Sequence, residues 1–180
     1  MKGIVFTEFI DLVESRFSLD IADQMIEGAE LASGGVYTAV GTYPHSEMAA
    51  MVVKLSELTG VPVPDLIRAF GEYLFHRFTQ HYPHFFDNVE GAFDFLVNLE
   101  SVVHAEVRKL YPEAELPRFD VKQLDGHTLS MVYRSDRHLA DLAHGLLLGC
   151  STYFDEPLDI RRHHPAEQGS PVEFTLVRMS

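Results

Sequence analysis

An α+β fold is predicted for this chain, and three observations predict it. Apolar residues recur at helical spacing through most of the first 110 positions, two short strand-like runs then flank Asp125-Gly126, and a further helical stretch precedes two more strand-like runs. Helices, a hairpin, a helix and a second hairpin in that order call for a four-stranded antiparallel sheet with helices beside it. With 180 residues, 46% of them hydrophobic, the chain suffices for one domain with a sizeable core, and no repeat, linker or low-complexity tract divides it.

Each element has its own warrant. Residues 4–17 place Phe6, Phe9, Ile10, Leu12, Val13 and Phe17 at helical spacing among Asp11, Glu14 and Arg16. Ser18 can cap a second helix, its hydroxyl accepting from a first-turn amide, and Ser33-Gly34-Gly35 ends it after about residue 31. A third helix over 46–58 stops at Gly60. Pro64, whose missing N–H is not needed in a first turn, opens a fourth carrying Leu66, Ile67, Phe70, Leu74 and Phe78. Residues 82–87 read as a connection. A long helix over 91–110 then runs through Phe93, Leu96, Val97, Val103 and Val107 until Pro112 closes it. The runs 119–124 and 127–134 form a hairpin, because Asp-Gly favours the positive φ of a tight turn. A last helix spans 139–154, and strands over 158–162 and 172–178 enclose a polar Glu-Gln-Gly-Ser turn. A helical N-terminal part over about 1–60 thus precedes an α/β remainder over about 61–180.

Charge and composition exclude several classes. A formal net charge of −13 repels nucleic-acid backbones and anionic membrane surfaces. The apolar stretch 139–148 is broken by Asp141, His144 and Gly145, well short of a membrane span, so neither nucleic-acid binding nor membrane insertion is expected. The single cysteine, Cys150, has no intrachain partner and no secretory leader opens the chain, so a cytoplasmic location is expected. There is no P-loop, Gly-x-Ser-x-Gly elbow or His-Glu-x-x-His helix, which argues against an enzyme of those types.

Two features carry chemistry. His104 sits on a helix whose other inward positions include Phe93, Val97 and Val107. There it is either a metal ligand, one ring nitrogen bound and the other donating a hydrogen bond, or a core histidine satisfied by a neighbour. The segment Tyr133-Arg134-Ser135-Asp136-Arg137 has Tyr-x-Ser-x-Arg spacing at a strand end. If the strand continues, its period of two sends 133, 135 and 137 to one face, a row of donors suited to carboxylates; otherwise it is a solvated strand end. His76, His81, His84 and the pair His163-His164 are irregularly spaced without a cysteine nearby, and read as surface histidines rather than a zinc site.

His104 followed about thirty residues later by Tyr133, Ser135 and Arg137 resembles the signature of the H-NOX family, the haem domains related to the sensor of soluble guanylate cyclase. The opening Met1-Lys2-Gly3-Ile4-Val5, the Ala69-Phe70-Gly71 turn, the segment 103–107, Leu116-Pro117-Arg118 and Gly145-Leu146-Leu147 also look like that family, so the resemblance covers essentially the whole chain. It implies an H-NOX-like fold enclosing haem b, iron protoporphyrin IX. It also implies that His104 is the proximal iron ligand, that Tyr133, Ser135 and Arg137 hold the propionates, and that Pro117 presses on the porphyrin face. Val5, Phe9, Leu74, Phe78, Leu142 and Leu146 become candidate wall residues.

Two departures from the family pattern refine the expectation. Oxygen-binding members carry a tyrosine nine residues after the motif tyrosine, where this chain has Leu142. Dioxygen on iron needs a donor that leucine lacks, so nitric oxide, with carbon monoxide as a further ligand, is favoured over oxygen. The cysteine-rich zinc site of some bacterial members is expected to be missing, since Cys150 stands alone. The resemblance therefore implies a nitric oxide sensor, not an enzyme, that signals by rupture of the His104–iron bond. Its partner is expected to be a separate sensor histidine kinase or diguanylate cyclase/phosphodiesterase. The competing readings are a haem enzyme, such as a peroxidase or nitric oxide dioxygenase, and a haem-free scaffold.

Overall fold

A computed structural model describes residues 1–163 and 171–179, so His164 and the expected Glu-Gln-Gly-Ser turn lie outside the described residues. Helix α1 (Gly3–Arg16) buries Phe6, Phe9, Leu12 and Val13 as its periodicity predicts. Ser18 caps α2 (Leu19–Gly28), its Oγ accepting from the Ile21 amide at 3.2 Å. This helix stops about three residues early; Glu30 is at φ 50°, and Gly34 and Gly35 follow at φ 67° and 76°. Helix α3 (His45–Thr59) ends on left-handed Gly60, whose amide donates to the Ser56 carbonyl at 2.8 Å. Pro64 sits in the first turn of α4 (Val63–His81).

The segment between α2 and α3 is fixed rather than loose. The buried Glu47 carboxylate accepts from the Ser33 amide (3.2 Å) and the Tyr37 hydroxyl (2.6 Å), and the Tyr37 ring stacks on Phe6 at 4.5 Å. The segment repays α1 in turn: its Gly41 and Ala39 carbonyls accept from the Gly3 and Ile4 amides, two of the donors left over at the helix N-terminus.

The expected long helix after residue 91 is three pieces: α5 (Ala92–Asn98), a π-helical turn (Leu99–His104) and α6 (Ala105–Leu110). Widened turns of this kind concentrate at functional sites and have no composition signature, so the periodicity could not show it. Val97, expected inward, is 45% exposed, because the inward stripe runs through Phe93 and Leu96 to Leu99.

Strands β1 (Arg118–Gln123), β2 (Thr128–Arg134), β3 (Leu158–His163) and β4 (Val172–Arg178) form one antiparallel sheet in the order β1-β2-β4-β3. Alternation buries Leu129, Met131 and Tyr133 of β2 with Phe174 and Leu176 of β4 on the face that packs against α7 (Ala140–Tyr153) and α5. The β1–β2 turn differs from the expected one. Gly126 does not take a positive φ; Asp125 Oδ1 accepts from the His127 amide at 2.8 Å, so a side chain closes the loop.

Two cores result. One joins α1, α2 and α3 to Leu66, Phe70 and Leu74 of α4, so it reaches beyond residue 60; the other lies between the sheet, α5 and α7. Leu146 packs against both. Helices α4 and α7 meet backbone to backbone: a Cβ on Gly71 would lie 2.5 Å from the Leu142 carbonyl oxygen, and one on Gly145 would run into the Arg68 carbonyl. Gly145→Ala is therefore expected to lower stability by about 1–3 kcal/mol, the ordinary cost of overpacking. Chemical denaturation checks this, and an unchanged midpoint would mean that the helices part freely.

Candidate functional site

Between the two cores lies a cavity of about 600 Å³, within the range of small-molecule sites. Val5 of α1, Leu74 and Phe78 of α4, and Leu142 and Leu146 of α7 line it, as do Leu99, Val103 and Val107 of the π turn and α6. Pro117, just before β1, and Met131 of β2 complete an apolar interior. Phe9, expected on the wall, is not there. It is buried in the helical core with its ring edge-on to Phe70 at 5.1 Å, because the α1 side facing α4 is not the side facing the cavity.

His104 ends the π turn with a side chain only 12% exposed, and it lines the cavity. Its Nδ1 lies 2.8 Å from Glu100 Oε1, four residues back. Glu100 also accepts from the Phe119 amide at 2.9 Å and from Arg108 at 3.1 Å. Burial would raise the Glu100 carboxyl, but the Phe119 amide, His104 and Arg108 outweigh it and hold the group below the usual carboxylate range. Burial also pushes the His104 imidazole below its ordinary value, against the opposing pull of Glu100. A neutral ring beside a carboxylate places its proton on Nδ1 and leaves the Nε2 lone pair free, the state in which imidazole binds a metal.

Tyr133, Ser135 and Arg137 also line the cavity, but not as one strand face. Strand β2 ends at Arg134 and a turn follows, with His138 at φ 52°. Local hydrogen bonds shape it: Ser135 Oγ accepts from the Arg137 amide and the Tyr133 hydroxyl from the Leu139 amide, each at 3.2 Å. Burial raises the Tyr133 phenol above its ordinary value, keeping it a hydroxyl. The Arg137 guanidinium, 16% exposed, donates to Glu115 at 2.8 Å, whereas Glu115 is 84% exposed. An ion pair to so exposed a carboxylate is weak.

Of the other histidines, His45 at the start of α3 also lines the cavity. His81 Nε2 contacts buried Glu8 at 2.9 Å, His163 meets Thr175, and among the described residues no cluster of three or more His, Cys, Asp or Glu side chains could hold a metal ion. The sequence reading missed Glu100, although its i−4 spacing from His104 was a usable signal, and it missed the stretches around Tyr43 and Glu113, which reach the cavity from loops, and His45 at the start of α3.

Apolar walls, one free imidazole nitrogen and a rim of hydroxyl and guanidinium donors match a flat apolar macrocycle that carries a metal and acid groups. The donor set therefore fits iron porphyrin, and the site defines an α+β haem-binding domain. The family model described as Haem-NO-binding matches residues 2–162, and the chain belongs to this H-NOX family of haem-binding gas sensors. No curated protein matches it. Among solved structures it is similar to the Fe(II) unliganded H-NOX protein of K. algicida, at 37% identity and TM-score 0.93, covering 100% of this chain and 97% of that one. It is also similar to the Shewanella woodyi H-NOX bound to IWP-051 in the Fe(II)CO state, at 40% identity and TM-score 0.87, covering 99% and 95%. An S. oneidensis H-NOX protein in the Fe(II)NO state is 25% identical, with TM-score 0.92 and full coverage of both chains. Among the described residues no helix is long and apolar enough to cross a membrane.

Proposed function

We propose that this chain is a nitric oxide sensor that holds haem b through His104 and signals to a separate protein. The observation that carries the reading is the buried, Glu100-bonded imidazole lining a large, mainly apolar cavity that Tyr133, Ser135 and Arg137 also line. Haem held here would supply a ferrous iron that binds diatomic gases, and the bond to His104, its protein ligand, would be the one that nitric oxide releases. His104 would hold the iron through Nε2. Arg137 would give up Glu115 for a propionate, Tyr133 and Ser135 would add hydroxyls to the same acid groups, and Pro117 would bear on the porphyrin.

Release of His104 frees the π turn, and the shapes before and after release differ in affinity for a partner. A ligand shifts such an equilibrium only through its unequal affinity for the two states, so the bond that one state lacks is the coupling element. By family resemblance the partner is a sensor histidine kinase or a diguanylate cyclase/phosphodiesterase in the cytoplasm, where the buried, lone Cys150 stays a thiol. Leu74, Phe78, Leu142 and Leu146 offer no donor or proton to bound oxygen, which argues against peroxidase or dioxygenase chemistry.

Absorption spectra of the ferrous protein test this reading. In air the spectrum is expected to stay unliganded or to change only by slow oxidation, while nitric oxide and carbon monoxide each shift it; a stable oxygen complex would contradict the ligand assignment. Arg137→Ala is expected to weaken haem retention by about 1.5–3 kcal/mol, the worth of a sheltered charge-assisted hydrogen bond. Transfer of haem to an acceptor protein measures it, and an unaltered rate would remove Arg137 from the propionate site.

A further inference from the structure

Glu100, behind His104, makes three hydrogen bonds and is not among the candidate ligands. One of its oxygens accepts from two donors, His104 Nδ1 at 2.8 Å and the Phe119 backbone amide at 2.9 Å; the other accepts from Arg108 at 3.1 Å. Arg108 and the β1 amide fix the carboxylate from two directions, and the carboxylate in turn fixes the ring. Such anchoring matters because His104 closes a π turn, and backbone hydrogen bonds of any helix leave the direction of the ring to its side-chain partners.

We propose that Glu100 is the positioning residue of the proximal ligand, setting both the direction in which His104 offers Nε2 and the strength of the bond it makes. This rests on His104 being the iron ligand. A carboxylate accepting from Nδ1–H draws the proton toward itself and makes the opposite nitrogen a stronger donor to metal. Because the same oxygen holds the Phe119 amide, the imidazole and strand β1 are tethered to one point, so a displacement of the ring strains its link to the sheet. Glu100 thereby sets how readily His104 lets go when a gas competes for the iron.

The test compares the haem-loaded ferrous protein with Glu100→Gln and Glu100→Ala by resonance Raman spectroscopy of the iron–histidine stretch, together with haem-transfer rates. Gln keeps an oxygen for His104 and Phe119 but removes the charge, so the pocket survives and the stretch falls to lower frequency. Ala removes the anchor as well, so the stretch falls at least as far and haem loss accelerates by about 10–100-fold, the usual cost of an outer-shell partner. A structural role alone would leave the Gln frequency at the original value. If both variants carry haem and both keep that frequency, the inference fails while the haem reading stands. A chain that takes up no haem overturns both.

Discussion

His104→Gly is expected to give a folded protein that loses its haem during purification and regains it when imidazole is added. Glycine removes the only nitrogen that the π turn offers to the cavity and leaves a space close to the size of the lost ring. Haem retention should fall by more than the roughly 10–100-fold that loss of an outer-shell partner costs, since the ligand itself is gone. The side chain hydrogen-bonds Glu100, has the Phe119 ring beside it and otherwise faces the cavity, so the fold is expected to survive its loss. Glycine in the turn adds about 1 kcal/mol of helix destabilisation. Circular dichroism and the Soret absorbance with and without imidazole check both halves. Full retention without imidazole would show that another residue holds the iron.

Leu142→Tyr should convert the ligand preference. Leu142 lines the cavity from α7, where an aliphatic side chain excludes water but cannot donate to a partly charged diatomic ligand. A phenol there can donate, and a hydrogen bond to a charged acceptor is worth roughly 1.5–3 kcal/mol. At about 1.4 kcal/mol per tenfold, oxygen affinity should rise by roughly one to two orders of magnitude. Oxygen titration of both ferrous proteins by absorption reads the change. No gain would mean that the tyrosine hydroxyl does not reach the bound gas.

Much of this fold is legible in the sequence, and the parts that are not have a common cause. Helices α1, α3, α4 and α7 announce themselves because each buries a stripe at 3.6-residue spacing, and Ser18, Gly60 and Pro64 mark ends through backbone chemistry that belongs to single residues. The strands of the sheet show in short alternating runs such as Leu129, Met131 and Tyr133. What stayed hidden depends on hydrogen bonds and packing that the periodicity of a single element does not encode. The π turn draws on Glu100 binding the Phe119 amide 19 residues away. The turn carrying Ser135 and Arg137 replaces an extended strand because local side-chain and backbone hydrogen bonds win over the ladder there. Phe9 has the same chemistry as a wall residue, and only the packing of α1 on α4 decides that it faces Phe70 instead. The candidate ligand His104 and the candidate donors Tyr133, Ser135 and Arg137 are legible as a combination of residue types, whereas of the support behind them only the i−4 spacing of Glu100 is.

Titration of the purified chain with haem, followed at the Soret band under nitrogen and then with nitric oxide, tests the central claim most directly. The account predicts saturation at one haem per chain, a ferrous spectrum with a single imidazole ligand, and conversion by nitric oxide to a form that has lost that ligand. A titration without a saturable Soret band, or a nitric oxide complex that keeps its His104 ligand throughout, would contradict it.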